Sequence, residues 1–192
     1  MEITAERIIL GIDPGTRILG YAVLQVLGKK LELLQWGVLD LTKTEPAELR
    51  YYKIFHHIMD LLDKHSPDEL AIEAPFYGKN VQSMLKLGRA QGLCIAAALS
   101  RQIPYAEYAP RLVKQQVTGK GAASKEEVAR FVQLALGLAD LPEKLDASDA
   151  LAVAICHAGL QGNGNVFQPK TKPKTSAGTY QNWSDFVKKK GL

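Results

Sequence analysis

The sequence is poor in cysteine, lacks long hydrophobic runs and has little excess charge. Only two cysteines occur among 192 residues. Cys94 and Cys156 lie in apolar runs without C-x-x-C spacing, so we expect both to be buried hydrophobic side chains in a reducing compartment. This pattern implies no disulfide framework and disfavours a zinc site. No run reaches about 18 apolar residues, and the charged start MEITAER lacks a signal peptide's apolar segment, so we expect no membrane partner and a cytoplasmic location. A net charge of +4 excludes a histone-like polycation.

Acidic and basic residues are sorted along the chain. Residues 79–130 contain nine basic and three acidic side chains, whereas residues 1–78 contain eight basic and twelve acidic ones. This distribution predicts an anionic partner at the basic middle of the chain and a cation, such as a metal ion, at the acidic flanks.

The order of elements indicates an α/β domain. Strand-like runs at 7–12, 19–26 and 31–41 predict an antiparallel meander, and further strands are expected at 69–74 and 103–108. Amphipathic or apolar helical patterns follow Pro46 and occupy 81–99, 111–117, 125–136 and 147–160. The order predicts a mixed five-stranded sheet flanked by helices, which fits the ribonuclease H-like layout. We assign residues 1–162 to this domain and interpret 163–192 as a basic, disordered tail.

Four carboxylates are expected to meet at one edge of this sheet. Asp13 ends the first strand and Glu73 lies near the end of the fourth, while Asp146 and Asp149 share one face of the last helix. Carboxylates crowded against a core repel one another, so such a cluster is usually held by a cation, and oxygen ligands favour Mg²⁺. Two such ions about 4 Å apart can activate water and stabilise the leaving oxygen of a phosphodiester.

Each of these acids also has a simpler interpretation. Asp13 begins an Asp-Pro-Gly turn, and Glu73 has the position of a surface charge at a strand end. Asp146 and Asp149 have the spacing of a helix N-cap and an acid in the first turn.

The histidines offer no clear catalytic group. We expect His157, within an apolar helix, to be a core residue, and His56, His57 and His65 to be surface residues.

Basic and aromatic residues follow Glu73. Phe76 and Tyr77 lie in the next loop, where an aromatic ring either packs on its own helix or stacks on a base. The basic residues that follow have only Glu107 interleaved among them and favour phosphate contacts; they are Lys79, Lys86, Arg89, Arg111, Lys114, Lys120 and Lys125.

Four blocks resemble the RuvC Holliday junction resolvases in order and spacing. They are ILGIDPGTRILGYAVL, LAIEAPFYGKNVQSMLKLGRAQG, YAPRLVKQQVTGKGAASKEEV and LDASDALAVAICHA, and the resemblance covers residues 7–160. It implies a homodimeric, Mg²⁺-dependent endonuclease of the ribonuclease H-like fold, acting in homologous recombination and DNA repair. Such an enzyme cuts two strands of a four-way DNA junction symmetrically and leaves ligatable nicks.

The resemblance also implies residue roles. It implies that Asp13, Glu73, Asp146 and Asp149 are catalytic and hold two Mg²⁺ ions per subunit, with Mn²⁺ as an alternative. It implies that Phe76, Lys114, Lys120 and Lys125 contact DNA, and that the RuvA and RuvB branch-migration complex is a partner. Some relatives have a histidine near the last acids, but Ser148 precedes Asp149 here, so no histidine is assigned to catalysis.

Two alternatives remain at this point. The Asp-Pro-Gly-Thr turn also resembles the first phosphate loop of actin-like and sugar-kinase ATPases, although that class needs a second, similar lobe and the sequence has no internal repeat. A junction-binding module without chemistry, or a ribonuclease H-like nuclease with another substrate, is the second alternative.

Overall fold

The strands form from the β-branched and alternating runs of the sequence. The computed structural model describes residues 6–75, 80–140 and 144–161. The strands are β1 (Glu6–Asp13), β2 (Ile18–Leu27), β3 (Lys30–Asp40), β4 (Glu69–Glu73) and β5 (Tyr105–Tyr108). Their spatial order is β3-β2-β1-β4-β5, with β1 antiparallel to β2, β2 antiparallel to β3, and β4 parallel to both β1 and β5. The predicted meander and mixed five-stranded sheet are confirmed.

Five helices occur in the described ranges. They are α1 (Ala47–His65), α2 (Val81–Ser100), α3 (Pro110–Thr118), α4 (Lys125–Leu136) and α5 (Asp146–Gln161). Local sequence signals explain two of the starts. Pro110 occupies the first turn of α3, where its missing N–H costs no hydrogen bond. Ser124 and Glu127 form a reciprocal capping box at the start of α4.

The fifth strand is shorter than the sequence predicts. The sequence predicts an extended segment over 103–108, but β5 begins at Tyr105. Pro104 has no N–H to donate to a strand ladder, and only its carbonyl joins the sheet by accepting from the Leu70 N–H at 2.9 Å.

Side chains of β1 alternate between two hydrophobic cores. Ile9 belongs to the core beneath α3, α4 and α5, whereas Leu10 and Ile12 belong to the core beneath α1 and α2. Because side chains of a strand alternate between faces, Asp13 lies on the same side of the sheet as Ile9. That side carries α5.

Helix α5 lies unusually close to the sheet. Most of its side chains are buried, from Ala147 to Ala158. A Cβ atom on Gly11 of β1 would lie 2.4 Å from the Ala150 carbonyl oxygen, so only glycine fits there. This approach presses the N-terminal half of α5 against the end of β1 that carries Asp13.

The cysteines have the predicted character. Both Cys94 and Cys156 are free and buried, and burial raises the pKa of each thiol to about 12, so both remain protonated hydrophobic side chains. Within the ranges described, none of the helices combines the length and apolar character that crossing a bilayer requires. The predicted tail, 163–192, lies outside those ranges.

Candidate active site

The parallel pairing of β1 and β4 brings two acids to one edge of the sheet. Ile12 lies opposite Ile72 in this pairing, and Asp13 and Glu73 are the next residues and the last of their strands. The carboxyl ends of parallel strands are where open α/β sheets place their sites. The expected proximity of these strands is therefore confirmed.

The first turn of α5 adds two further acids. Asp13, Asp146 and Asp149 each present a carboxylate oxygen within 4.8 Å of those of the other two. Glu73 lines the same cleft as Asp13 and Asp149 without belonging to this tight group. The structure thus brings three of the predicted acids together and places the fourth beside them.

The carboxylates disfavour one another's ionised forms. Burial raises the pKa of Asp13 well above its usual value, and the charges of Glu73, Asp149 and Asp146 raise it further. Burial also raises the pKa of Glu73 to about 7, with an added contribution from Asp149. A nearby positive charge would relieve both effects.

Lys125 supplies one such charge. Its Nζ lies 2.5 Å from Asp149 Oδ2 and 3.8 Å from Asp146 Oδ1. An ammonium group among carboxylates indicates that this position attracts cations. The donors of the tight group are all carboxylate oxygens, which suit a hard divalent metal, so the residues present fit Mg²⁺.

A cleft of about 790 Å³ opens onto the acids. Its lining includes the acidic residues Asp13, Glu73 and Asp149 and the basic residues Arg111, Lys114 and Lys125. The Lys114 Nζ donates a hydrogen bond to the Ala123 carbonyl oxygen at 2.7 Å, and its charge lowers the pKa of Glu73 in opposition to burial. Acidic and basic groups facing one cavity suit a phosphate held beside bound cations.

Lys120, another predicted DNA contact, lies apart from the cleft lining. Lys120 is exposed on the turn after α3, where its backbone N–H donates to Thr118 Oγ1, and it is not among the residues lining the cleft. Phe76 lies outside the described residues. Of the three lysines predicted to contact DNA, the structure therefore brings Lys114 and Lys125 to the cleft that holds the acids.

Arg111 is one of the basic residues that the sequence predicts to favour phosphate contacts, but the family resemblance assigns it no role at the site. It lies in the first turn of α3 and lines the cleft. A Cβ atom on Gly121 would approach the Arg111 Cγ to 2.9 Å, so the glycine leaves room for the arginine stem. The available signal was its spacing of three residues from Lys114, which places both on one face of a helix.

The histidines lie away from the acids. His157 is buried, as predicted, with Nδ1 2.7 Å from the Tyr108 hydroxyl and Nε2 3.0 Å from Glu69 Oε2. Ser148, the residue before Asp149, is fully buried and has no hydrogen-bond partner for Oγ.

The prediction that the other three histidines are surface residues is partly wrong. His56 is exposed, but His57 and His65 are half-buried. Helix α1 packs them against the meander, where the His57 ring lies 4.8 Å from the Tyr21 ring and His65 Nε2 lies 2.8 Å from Gln35 Oε1.

Comparison with known proteins identifies the family. The sequence profile described as Crossover junction endodeoxyribonuclease RuvC matches residues 9–157. The chain belongs to the RuvC family. This confirms the predicted enzyme class, a crossover junction endodeoxyribonuclease, and it replaces the ATPase interpretation of the Asp-Pro-Gly-Thr turn.

Sequence relatives fall into two groups by length. RuvC of Bacteroides fragilis is 50% identical over 186 residues, which cover 96% of this chain and 94% of the relative. RuvC of Cytophaga hutchinsonii is 49% identical over 96% of this chain and 86% of the relative. RuvC of Dehalococcoides mccartyi is 39% identical over 158 residues, which cover 82% of this chain and 96% of the relative.

Solved structures support the same fold. Thermus thermophilus RuvC in complex with Holliday junction substrate has a TM-score of 0.74 and 36% identity, over 79% of this chain and 93% of that one. The yeast mitochondrial Holliday junction resolvase has a TM-score of 0.56 and 17% identity, over 77% of this chain and 76% of that one, and shows a shared fold. The predicted ribonuclease H-like fold is confirmed.

Proposed function

We propose that this chain resolves Holliday junctions in homologous recombination and DNA repair, by paired, symmetric, metal-dependent hydrolysis that leaves ligatable nicks. The observation that carries this proposal is the convergence of Asp13, Asp146 and Asp149, with Glu73 beside them, in a cleft that also holds basic side chains. Membership of the RuvC family supports the substrate, since the Thermus thermophilus relative was solved with Holliday junction DNA.

We assign Asp13, Glu73, Asp146 and Asp149 as the residues that hold two Mg²⁺ ions per subunit, with Mn²⁺ as an alternative. Bound divalent ions stabilise negative charge on a phosphoryl oxygen and lower the pKa of water. The support is the oxygen-only donor set and the raised pKa of Asp13 and Glu73, which mark a site short of positive charge.

We assign phosphate binding to the basic residues of the cleft. Arg111, Lys114 and Lys125 line it together with the acids, so they would bind the non-bridging oxygens of the scissile phosphate and orient it toward the acids. Lys125 bridges the two groups through its contact with Asp149. Lys120, on an exposed turn, would contact a phosphate farther along the DNA. Phe76 follows Glu73 by three residues, and we propose that it stacks on a junction base.

Symmetric cleavage needs two sites. The described part of the chain contains one group of converging acids, so two copies related by a twofold axis would place two sites on two junction strands. We therefore propose a homodimer, with RuvA and RuvB as partners and the cytoplasm as the location; family membership supports these assignments.

Substrate selectivity tests the proposal. Labelled four-way junction, linear duplex and RNA/DNA hybrid are each incubated with the protein, with and without Mg²⁺. We expect paired, religatable nicks on the junction alone and only with the metal. Preferential cleavage of the hybrid would contradict the proposed substrate while keeping the nuclease, and junction binding without nicks would contradict catalysis.

A further inference from the structure

Helix α4 carries an exposed apolar face. Leu134 is 79% exposed, the highest value among large hydrophobic side chains of the described residues, and Phe131 is 40% exposed. The two are three residues apart and therefore adjacent on the helix surface. The opposite side of α4 packs into the core through Val128 and Val132. We call Phe131 and Leu134 the α4 apolar face.

Helices α4 and α5 both lead away from the active site. Helices α4 and α5 begin next to each other, because Lys125 in the first turn of α4 contacts Asp149 in the first turn of α5. They also pack against each other along the same core. The α4 apolar face and the last residue of α5, Gln161, therefore both lie away from the cleft.

The chain continues for 31 residues beyond Gln161 and contains one apolar cluster of matching size. Trp183, Phe186 and Val187 occur in the sequence WSDFV at spacings of three and four residues, the spacing of one helical face. The 22 residues from Gln161 to Trp183 have an average span of about 25 Å as a flexible chain. Helix α4 is about 18 Å long, so its apolar face is within reach.

Charge also favours contact between the apolar cluster at Trp183 and the α4 apolar face. Lys188, Lys189 and Lys190 follow the apolar cluster directly. The carboxyl end of a helix carries partial negative charge, and Asp140 is exposed just beyond the end of α4. A basic run beside the apolar cluster therefore complements the end of α4 beside its apolar face.

The lengths of the relatives indicate that the segment after α5 is not part of the family's common core. The matches to the Bacteroides fragilis and Cytophaga hutchinsonii proteins extend through the region after α5. The match to the Dehalococcoides mccartyi protein uses 96% of that relative but only 158 residues. A segment that whole relatives lack is not needed for the shared chemistry, so its apolar residues call for a different explanation.

We propose that Trp183, Phe186 and Val187 dock on the α4 apolar face of the same chain. The covalent tether raises the effective concentration of the segment at this face to the millimolar range, which favours docking within the chain over capture of another molecule. Docking covers Leu134, and it fixes the lysines after Val187 on the side of the sheet that carries the cleft.

Tryptophan fluorescence tests this directly, because the chain has only two tryptophans. In the full-length Trp36→Phe variant, Trp183 is the sole reporter. We expect blue-shifted emission and weak acrylamide quenching, and we expect Leu134→Lys to shift the emission to longer wavelength and increase quenching. Leu85→Lys is the matched control, since Leu85 is also exposed but lies on α2, on the other face of the sheet. It should leave the emission unchanged.

Other results would overturn the proposal. If acrylamide quenches Trp183 in the Trp36→Phe variant as strongly as a solvent-exposed tryptophan, the segment does not dock on α4. The same conclusion follows if Leu134→Lys has no more effect on the emission than Leu85→Lys. If the blue shift disappears on dilution, the occupant is a second copy. Trp36 packs against the core, and replacing it alters that core. The difference in emission between the unmodified protein and Trp183→Phe therefore repeats the measurement with Trp36 in place. Neither experiment uses DNA, so failure of docking is distinguishable from failure of the proposed nuclease.

Discussion

Gly20 of β2 and Asp146 of α5 approach each other so closely that no side chain fits between them. A Cβ atom on Gly20 would lie 2.0 Å from the Asp146 carbonyl oxygen. Gly20 also lies directly opposite Asp13 in the β1–β2 pairing. A glycine on β2, directly opposite Asp13, thus sets how closely the helix that carries Asp146 approaches the sheet.

Gly20→Ala should therefore damage the active site. The added methyl group must displace the α5 backbone, so we expect a loss of about 1–3 kcal/mol in the free energy of unfolding and a lower rate of junction cleavage. Urea unfolding and a cleavage time course measure the two effects. Gly92→Ala is the control, because a Cβ atom at Gly92 in α2 meets nothing within 4 Å. It should preserve cleavage and raise stability by about 0.5–1 kcal/mol. Equal behaviour of the two variants would refute the role of the close approach.

Metal binding should stabilise the folded protein through the acidic group. Asp13 is a buried carboxyl among three other acids, so Asp13→Asn should raise the melting temperature in the presence of EDTA. Mg²⁺ should raise the melting temperature of the unmodified protein and have little effect on this variant. Asp63→Asn, at an exposed position paired with Arg101, is the control and should keep the Mg²⁺ response. An unchanged Mg²⁺ response in Asp13→Asn would contradict the assigned metal site.

The lysines should separate into two classes. Lys114 and Lys125 line the cleft, whereas Lys120 does not. We expect Lys114→Gln and Lys125→Gln to lower the rate of the cleavage step by about 100-fold at saturating protein. Lys120→Gln should leave that rate unchanged and reduce the salt dependence of junction binding by about one unit of slope. Single-turnover cleavage and binding at several salt concentrations distinguish the classes, and a slow cleavage step in Lys120→Gln would contradict them.

Acidification should destabilise the protein through His57. Its Nε2 is buried without a hydrogen-bond partner, and burial lowers the pKa of the ring below the ordinary value of 6.5. The folded chain therefore binds this proton less readily than the unfolded chain. The stability associated with neutral His57 is present above about pH 6.5 and is lost as the pH falls.

Chemical unfolding at pH 7 and pH 5 measures this effect. We expect His57→Phe to lose less stability than the unmodified protein over this interval. His56→Phe, at an exposed position of the same helix, should retain the original pH dependence. The same pH dependence in both variants would show that His57 is not responsible.

The sequence predicts the sheet and the position of its acids because these depend on local patterns. The run before Asp13 and the run before Glu73 each indicate a strand, and the carboxyl ends of neighbouring parallel strands meet at one edge. The spacing of Asp146 and Asp149 likewise fixes one helix face. These patterns predict that the four acids meet at one edge of the sheet, and a family resemblance is needed to prefer catalysis over helix capping.

Other features depend on packing between distant elements. Glu73 stands apart from the tight group, and Lys125 enters it, because of how α4 and α5 rest on the sheet. Arg111 reaches the cleft because Gly121 leaves room for it. The burial of His57 depends on a contact with Tyr21 from another element. Spacing along one segment does not contain this information.

Cleavage of a labelled four-way junction by the unmodified protein and by Asp13→Asn, with binding measured in parallel, tests whether the converging acids are the catalytic site. We expect Mg²⁺-dependent nicks at symmetric positions in two opposing strands for the unmodified protein. For Asp13→Asn we expect at least about a 100-fold loss of nicking with nearly unchanged junction binding. Full cleavage activity of Asp13→Asn would contradict the assignment of the converging acids as the catalytic site.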